Sequence, residues 1–265
     1  MFNKYKETFD SVISLGYKCE VAYSVEAILG KVESNLFNWV NILHVDNLIY
    51  LLKHPDCEIA KNLYFEDFSF MYRDLDLDFR YHTKQPNEYF IGENKLTNIE
   101  EDKKEVHSRF SYLKNKFFNQ IYSNSKNLFI MCFQANVEPK DVNLKLKELS
   151  SLIKNISGNS KSKIIVIFEK KYYKKLNLEK FDNIYIYTIS HFSPDSYAHG
   201  IDFKFWKNLY KNFNFSFAPN VDYKTNIQNF IKNRNVVTLY EQKHFKFLGI
   251  KFSFKKKLYD IKKGL

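Results

Sequence analysis

Cysteine is scarce and poorly placed for pairing: the 265-residue chain has three, Cys19, Cys57 and Cys132, an odd number at wide spacings. This excludes a disulfide framework and a paired-cysteine zinc site, and it fits a reducing compartment. No two histidines stand at the i, i+4 spacing of a zincin helix, so no metal centre is expected and no cofactor is implied. Arginine is nearly missing as well. Lys+Arg (41) exceed Asp+Glu (30) to give a formal charge of +11, yet arginine occurs only at Arg73, Arg80, Arg109 and Arg234. Readers of bases and phosphates favour the bidentate guanidinium, and the sequence has no helix-turn-helix, zinc-finger or RNP-like pattern. Sequence-specific nucleic-acid binding is therefore not expected. Walker A and Gly-x-Gly-x-x-Gly phosphate loops are lacking. No window approaches the roughly 20 uninterrupted apolar residues of a membrane-spanning helix, and Met1 to Phe9 has no apolar run of the signal-peptide kind. The expected location is the cytoplasm.

What is present is an ordinary globular balance, 45% apolar and 27% charged, which excludes a disordered or collagen-like chain. The length suits one large domain with an appendage. A short apolar run, Ser11 to Leu15, breaks at Gly16 and leads into a helical stretch from Glu20 to Leu29, which reads as strand, tight turn, helix. An apolar patch at Asn35 to Leu43 precedes a helix at Asp46 to Lys53, with Asp46 as its N-cap. Asp56 to Tyr81 reads as loop and short strand ending in Phe79 to His82, and Ile99 to Tyr122 as a long charged helix. Three apolar runs follow, Asn127 to Phe133, Lys163 to Phe168 and Asn183 to Ile189, with a helix from Asp141 to Ile156 between the first two. Strands alternating with helices predict a parallel sheet. A helix at Asp202 to Phe213 carries Phe205, Trp206, Leu209 and Tyr210 at core-facing spacing. The expected fold is α/β, a mostly parallel sheet flanked by helices in the flavodoxin-like or SGNH-hydrolase-like manner. It spans residues 1–234, and residues 235–265 form a basic, aromatic C-terminal hairpin and tail.

The chemistry-bearing residues gather after the first strand. Gly16, Tyr17, Lys18 and Cys19 place a thiol at the first turn of a helix, whose partial positive charge and unpaired N–H groups favour a thiolate and can hold an oxyanion. A thiolate nucleophile needs a base. In a parallel sheet the useful histidines are those that follow a strand, which selects His191 and His82. His199, in the loop from Pro194 to Gly200, reaches the same rim, and Asp195 or Asp202 would orient an imidazole there. The alternative is that Cys19 is a small buried hydrophobe.

The segment Asp10 to Ala22, with Ser-Leu-Gly at residues 14–16 and Cys19, followed by Phe37-Asn38-Trp39, resembles the opening of a bacterial family of papain-like cysteine peptidases. The family has Asp where this chain has Asn38. Tyr81-His82, Arg109-Phe110 and the strand Asn127 to Phe133 are similar to later pieces of that family. The resemblance implies a thiol-dependent hydrolase or transferase with Cys19 as nucleophile and His82 or His191 as base. Asn38, Trp39 and Arg109 then stand among the substrate-binding positions, and the substrate is a small molecule, a peptide or a glycan-linked group. The tail, Phe245 to Phe252, is similar to the ending of enzymes that build capsule and lipopolysaccharide glycans. That likeness implies work at the inner face of a membrane, where the C-terminal lysines would touch anionic lipid. Two other readings stay open: a glycosyltransferase or other group transferase of surface-polysaccharide assembly with a structural Cys19, and a non-catalytic binding protein.

Overall fold

The structure is a computed structural model describing residues 6–17, 19–31, 34–38, 40–42, 44–66, 71–82, 99–133, 138–158, 161–192, 201–233, 239–247 and 250–259. Its centre is a parallel sheet of β2 (Ser11–Ser14), β7 (Asn127–Cys132), β8 (Lys163–Glu169) and β9 (Ile184–Ile189), adjacent in that order. Ser14 pairs with Ile130, Ile130 with Ile165, and Ile165 with Tyr185. The short β1 (Thr8–Phe9) precedes β2 and takes β10 (Asn214–Phe215) as a parallel partner. The α/β class, with a mostly parallel sheet, is as the sequence predicts. The four strands run across the sheet in chain order, whereas flavodoxin-like sheets have the order 2-1-3-4-5.

Strands buried on both faces read as continuous apolar runs, and β7 and β8 are of this kind. Their side chains divide by the two-residue period. Phe129, Met131, Ile164, Val166 and Phe168 face one core, and Leu128, Ile130, Cys132, Ile165 and Ile167 face the other. The first core is closed by α2 (Val45–Lys53), α3 (Ile99–Tyr122) and α4 (Val142–Ile156), through residues such as Leu48, Phe110, Phe117 and Leu149. The second is closed by α1 (Glu20–Ser24), α6 (Phe203–Tyr210) and α7 (Tyr223–Asn233), through Val21, Trp206, Leu209, Tyr210 and Phe230. α1 runs directly into a π-helical turn, Val25–Leu29, so the helical stretch from Glu20 to Leu29 is continuous, as expected. A single turn, α5 (Lys170–Tyr173), follows β8.

Several expectations need correction. Asp46 is not an N-cap: α2 starts one residue earlier, its cap position is the extended His44, and Asp46 instead pairs with Lys145 of α4. The stretch read as loop and short strand holds an antiparallel sheet, in the order β3 (Val40–Ile42), β6 (Phe79–His82), β5 (Met71–Asp74), β4 (Leu63–Glu66). It escaped the periodicity because its strands are at most four residues long and carry buried carboxylates. Asp74, 1% exposed, accepts the Ala60 amide at 2.7 Å and the Tyr81 hydroxyl at 3.2 Å. Helix α7 was not expected. The C-terminal hairpin was, and it forms as β11 (Leu239–Phe247) and β12 (Ile250–Tyr259), antiparallel; residues 234–238 and 260–265 lie outside the described residues.

The second sheet is pinned by a fork of two hydrogen bonds. Arg80 donates from Nε to Glu66 Oε2 at 2.5 Å and from a terminal nitrogen to Oε1 at 2.9 Å, with Glu66 only 4% exposed. Lysine keeps the charge but cannot form the fork. Arg80→Lys is expected to cost about 1–2 kcal/mol in urea denaturation. A loss below about 0.5 kcal/mol would mean that water already reaches the pair.

Candidate active site

Because β2, β7, β8 and β9 are parallel, the segments that follow them share one edge, where α/β proteins place their ligands. The strand ends and these segments bring Gly16, Tyr17 and Cys19, Cys132 and Phe133, Glu169, and His191 and Phe192 to the same rim.

The turn after β2 is strained. Gly16 has φ +91° and Tyr17 φ +85°, so two successive residues occupy the left-handed half of backbone space. Glycine enters it freely, but a tyrosine there costs about 1–2 kcal/mol. Such outliers persist only where their surroundings hold them, and they cluster at functional sites. Ser14 Oγ accepts the Gly16 amide at 3.2 Å, which ties the turn back to the strand. Ile42 of β3 lies directly over Gly16: a Cβ there would come within 2.4 Å of Cδ1 and 2.8 Å of Cγ1. Gly16→Ala therefore meets both a forbidden φ and a clash in the core. It is expected to destabilise by about 2–4 kcal/mol, the sum of left-handed strain and overpacking. Ile42→Val, which removes Cδ1, should return part of that loss in the double variant. If the two substitutions prove additive, the Ile42 contact plays no part.

Cys19 lies at the cap position of α1, with φ −64° and ψ −5°, and its side chain makes no capping hydrogen bond. It is 2% exposed. The first bond of the helix runs from the Tyr23 amide to the Cys19 carbonyl at 3.0 Å, so Cys19 stands at the positive end of the helix.

Around this turn the tertiary structure gathers groups that have no sequence signature. Glu20 is 3% exposed and its Oε1 accepts the Trp206 indole N–H at 3.0 Å. Ser24 Oγ lies 2.8 Å from the Tyr210 hydroxyl and donates to the Val21 carbonyl at 2.7 Å. The Tyr210 hydroxyl is therefore the donor in that pair. Burial pushes the Tyr210 hydroxyl far up, with Cys132 and Glu20 acting in the same direction. Tyr17 is shifted upward by burial first and then by the charges of Glu169, Cys132 and Glu20. Both shifts favour the protonated phenol. Sequence reading passed over Glu20, Cys132 and Glu169 as site residues; the available signal was an acidic residue in the first turn of the helix that follows the glycine turn.

Although β9 is three strands from β2, the chain beyond it crosses back over the rim. The Phe192 amide donates to Glu169 Oε1 at 3.0 Å, and its ring meets Tyr17 edge-on with centroids 5.8 Å apart. His191, the residue before it, is exposed. Among the other sequence-selected residues, Asn38 is buried in a 3-10 turn, Leu36–Asn38, next to Phe37, whose carbonyl accepts from Ser14 Oγ at 3.5 Å. Arg109 sits on α3 with its guanidinium 4.9 Å from the Phe110 ring centre. Burial lowers its pKa, against Glu105 and Asp102. His82 does not follow a strand of the parallel sheet as expected: it ends β6 of the antiparallel sheet, in register with Met71, and its side chain lies outside the described residues. Asp202 is the N-cap of α6, accepting the Phe205 amide at 2.9 Å. That hydrogen bond employs the carboxylate in capping. Lys18, Trp39, Asp195 and His199 lie outside the described residues.

A groove of about 340 Å³ opens beside the start of α4, lined by His44, Asp46, Glu138, Asp141, Leu144 and Lys145. No group of three or more His, Cys, Asp or Glu suited to a metal ion occurs among the described residues. No helix among them is long and apolar enough to cross a membrane. Compared with protein-family models, with curated proteins and with solved structures, the chain matches none.

Proposed function

We propose that the protein is a cysteine-dependent hydrolase or acyl transferase with Cys19 as its nucleophile, the activity implied by the resemblance to papain-like cysteine peptidases. One observation carries the reading: a thiol stands at the start of a continuous helix, one residue beyond two successive left-handed residues, at the carboxyl edge of a parallel sheet. A strained strand-to-helix turn is the device by which α/β hydrolases present a nucleophile. The helix start supplies amides and a partial positive charge where the thiolate and then the oxyanion need them.

In the proposed reaction the Cys19 proton passes to the imidazole of His191, the sulfur attacks an acyl carbonyl, and the oxyanion takes hydrogen bonds from the amides at the start of α1. The C–O or C–N bond to the leaving group then breaks, with the proton returned to that group by the imidazolium. Water or a second acceptor releases the acyl group from the thioester. The bonds of Glu20 with Trp206 and of Ser24 with Tyr210 tie the helix that carries the thiol to α6.

The test uses p-nitrophenyl acetate with the full chain. The expected results are release of nitrophenolate and an added acetyl mass on the peptide containing Cys19, with Cys57 and Cys132 unmodified. Acetylation spread evenly over the three cysteines, or none at Cys19, would overturn the reading.

A further inference from the structure

The segment that leaves β8 carries a cluster of charge that the reaction above does not use. α5 and the two residues after it read Lys170-Lys171-Tyr172-Tyr173-Lys174-Lys175, with four lysines and no acidic residue. All four lysines are exposed, and none enters a salt bridge among the described residues. The Lys174 amide donates to the Lys170 carbonyl at 3.2 Å, so these two stand one helical turn apart, a spacing at which like charges repel. Tyr172 anchors the turn in the first core, while Tyr173 is 39% exposed with its ring centre 6.1 Å from that of Phe168. Glu138, whose charge acts on Tyr172, marks the acidic side of the turn, toward the groove at α4.

The position of this turn relates it to Cys19. β8 is two strands from β2 in the same parallel sheet, a lateral distance of about 10 Å at the usual strand spacing. Phe192 bridges the interval: its amide donates to Glu169, the residue before the lysines, and its ring meets Tyr17, two residues before Cys19.

We propose that the lysine turn Lys170–Lys175 binds the phosphates of the leaving group, so that the acyl donor for Cys19 carries its acyl group on a moiety of nucleotide type. The inference rests on the reading of Cys19 as nucleophile and adds the class of substrate. Lysine holds phosphate as a point charge, and the exposed Tyr173 ring offers a face on which a base stacks. The Cys19 sulfur bonds to the acyl carbon, the bond to the leaving group breaks, and the leaving heteroatom takes the imidazolium proton. The phosphates lie away from the reacting bond, so their contact is the same before and during the reaction and is read in KM.

The experiment compares acetyl-coenzyme A with S-acetyl-N-acetylcysteamine, which has the same thioester and no phosphate, as acetyl donors to the full chain. The expected result is a KM at least about tenfold lower for acetyl-coenzyme A, a preference that salt diminishes. The variant with Lys170, Lys171, Lys174 and Lys175 all changed to Gln should lose the preference without a change in melting temperature, and Tyr173→Leu should raise the KM for acetyl-coenzyme A about fivefold. Calorimetric titration with ADP reads the turn without any chemistry at Cys19: the wild type should bind, and the four-lysine variant should bind at least about tenfold more weakly. Equal KM values for the two donors, or a four-lysine variant that binds ADP as the wild type does, overturns the proposal and leaves the thiol reading standing. ADP binding that depends on the lysines, with no acetyl group on Cys19, overturns the thiol reading and with it the assignment of this nucleotide to a leaving group. An oligonucleotide bound far more tightly than ADP would make the turn a nucleic-acid contact.

Discussion

Cys19→Ala is expected to abolish acetyl transfer from p-nitrophenyl acetate, by at least about a thousandfold over any background, while leaving the protein folded. The size of the effect follows from the role: without the sulfur there is no covalent step, and the oxyanion-holding amides have no intermediate to stabilise. Retention of the fold follows from what is removed. Cys19 is buried, but the substitution deletes one atom and no hydrogen bond from its side chain to the helix cap. The cost should be about 1 kcal/mol, or a few degrees of melting temperature in a chain of this size. Stopped-flow nitrophenolate release and a thermal melt on the same sample separate the two. A variant with wild-type turnover removes the thiol mechanism. A variant that loses turnover together with most of its stability would make Cys19 a packing residue, the hydrophobe that an isolated cysteine most commonly is.

Trp206→Ala should be the most damaging single substitution to stability in the second core. Trp206 is fully buried, stacks on Tyr210 with ring centres 5.8 Å apart, and donates its indole N–H to Glu20. Truncation opens a cavity worth about 3–5 kcal/mol and also removes a donor from a buried carboxylate, which adds about 1–3 kcal/mol. The total is comparable with the whole stability of many domains, so the chain is expected to purify as a partly unfolded, protease-sensitive species. Trp206→Phe reduces the cavity contribution: it keeps a six-membered aromatic ring in the site and loses the N–H with the five-membered ring that carries it. It should fold and cost no more than about 3 kcal/mol, read from urea denaturation. If Phe and Ala are equally destabilising, the bond to Glu20 dominates. If Phe is silent, the carboxylate is satisfied without the indole.

The helix Ile99–Tyr122 and the strands around Asn127–Cys132, Lys163–Glu169 and Ile184–Ile189 were legible because each is long enough for its apolar pattern to repeat. The packing role of Trp206, Leu209 and Tyr210 was legible for the same reason, and all three are buried in the second core. The antiparallel sheet was not, since strands of three or four residues complete at most two periods. Its polar members, Glu66 and Asp74, are satisfied by partners up to 14 residues distant, Arg80 and Ala60 among them. His82 was misplaced by the same blindness: the end of a strand is visible in a sequence, but the sheet to which the strand belongs is not.

At the candidate site, the local sequence alone determined the turn. A β-branched run, a glycine and a cysteine before a helical pattern specify strand, bend and thiol at a helix start, because these features depend only on neighbours in the chain. Only the tertiary structure decided what surrounds that thiol. Glu20 meets Trp206 across 186 residues, Tyr17 meets Phe192, and Gly16 is confined by Ile42. Such meetings depend on which strands lie side by side and which helix covers which face. Burial of apolar surface over the whole chain sets that arrangement, a non-directional force that no short segment encodes.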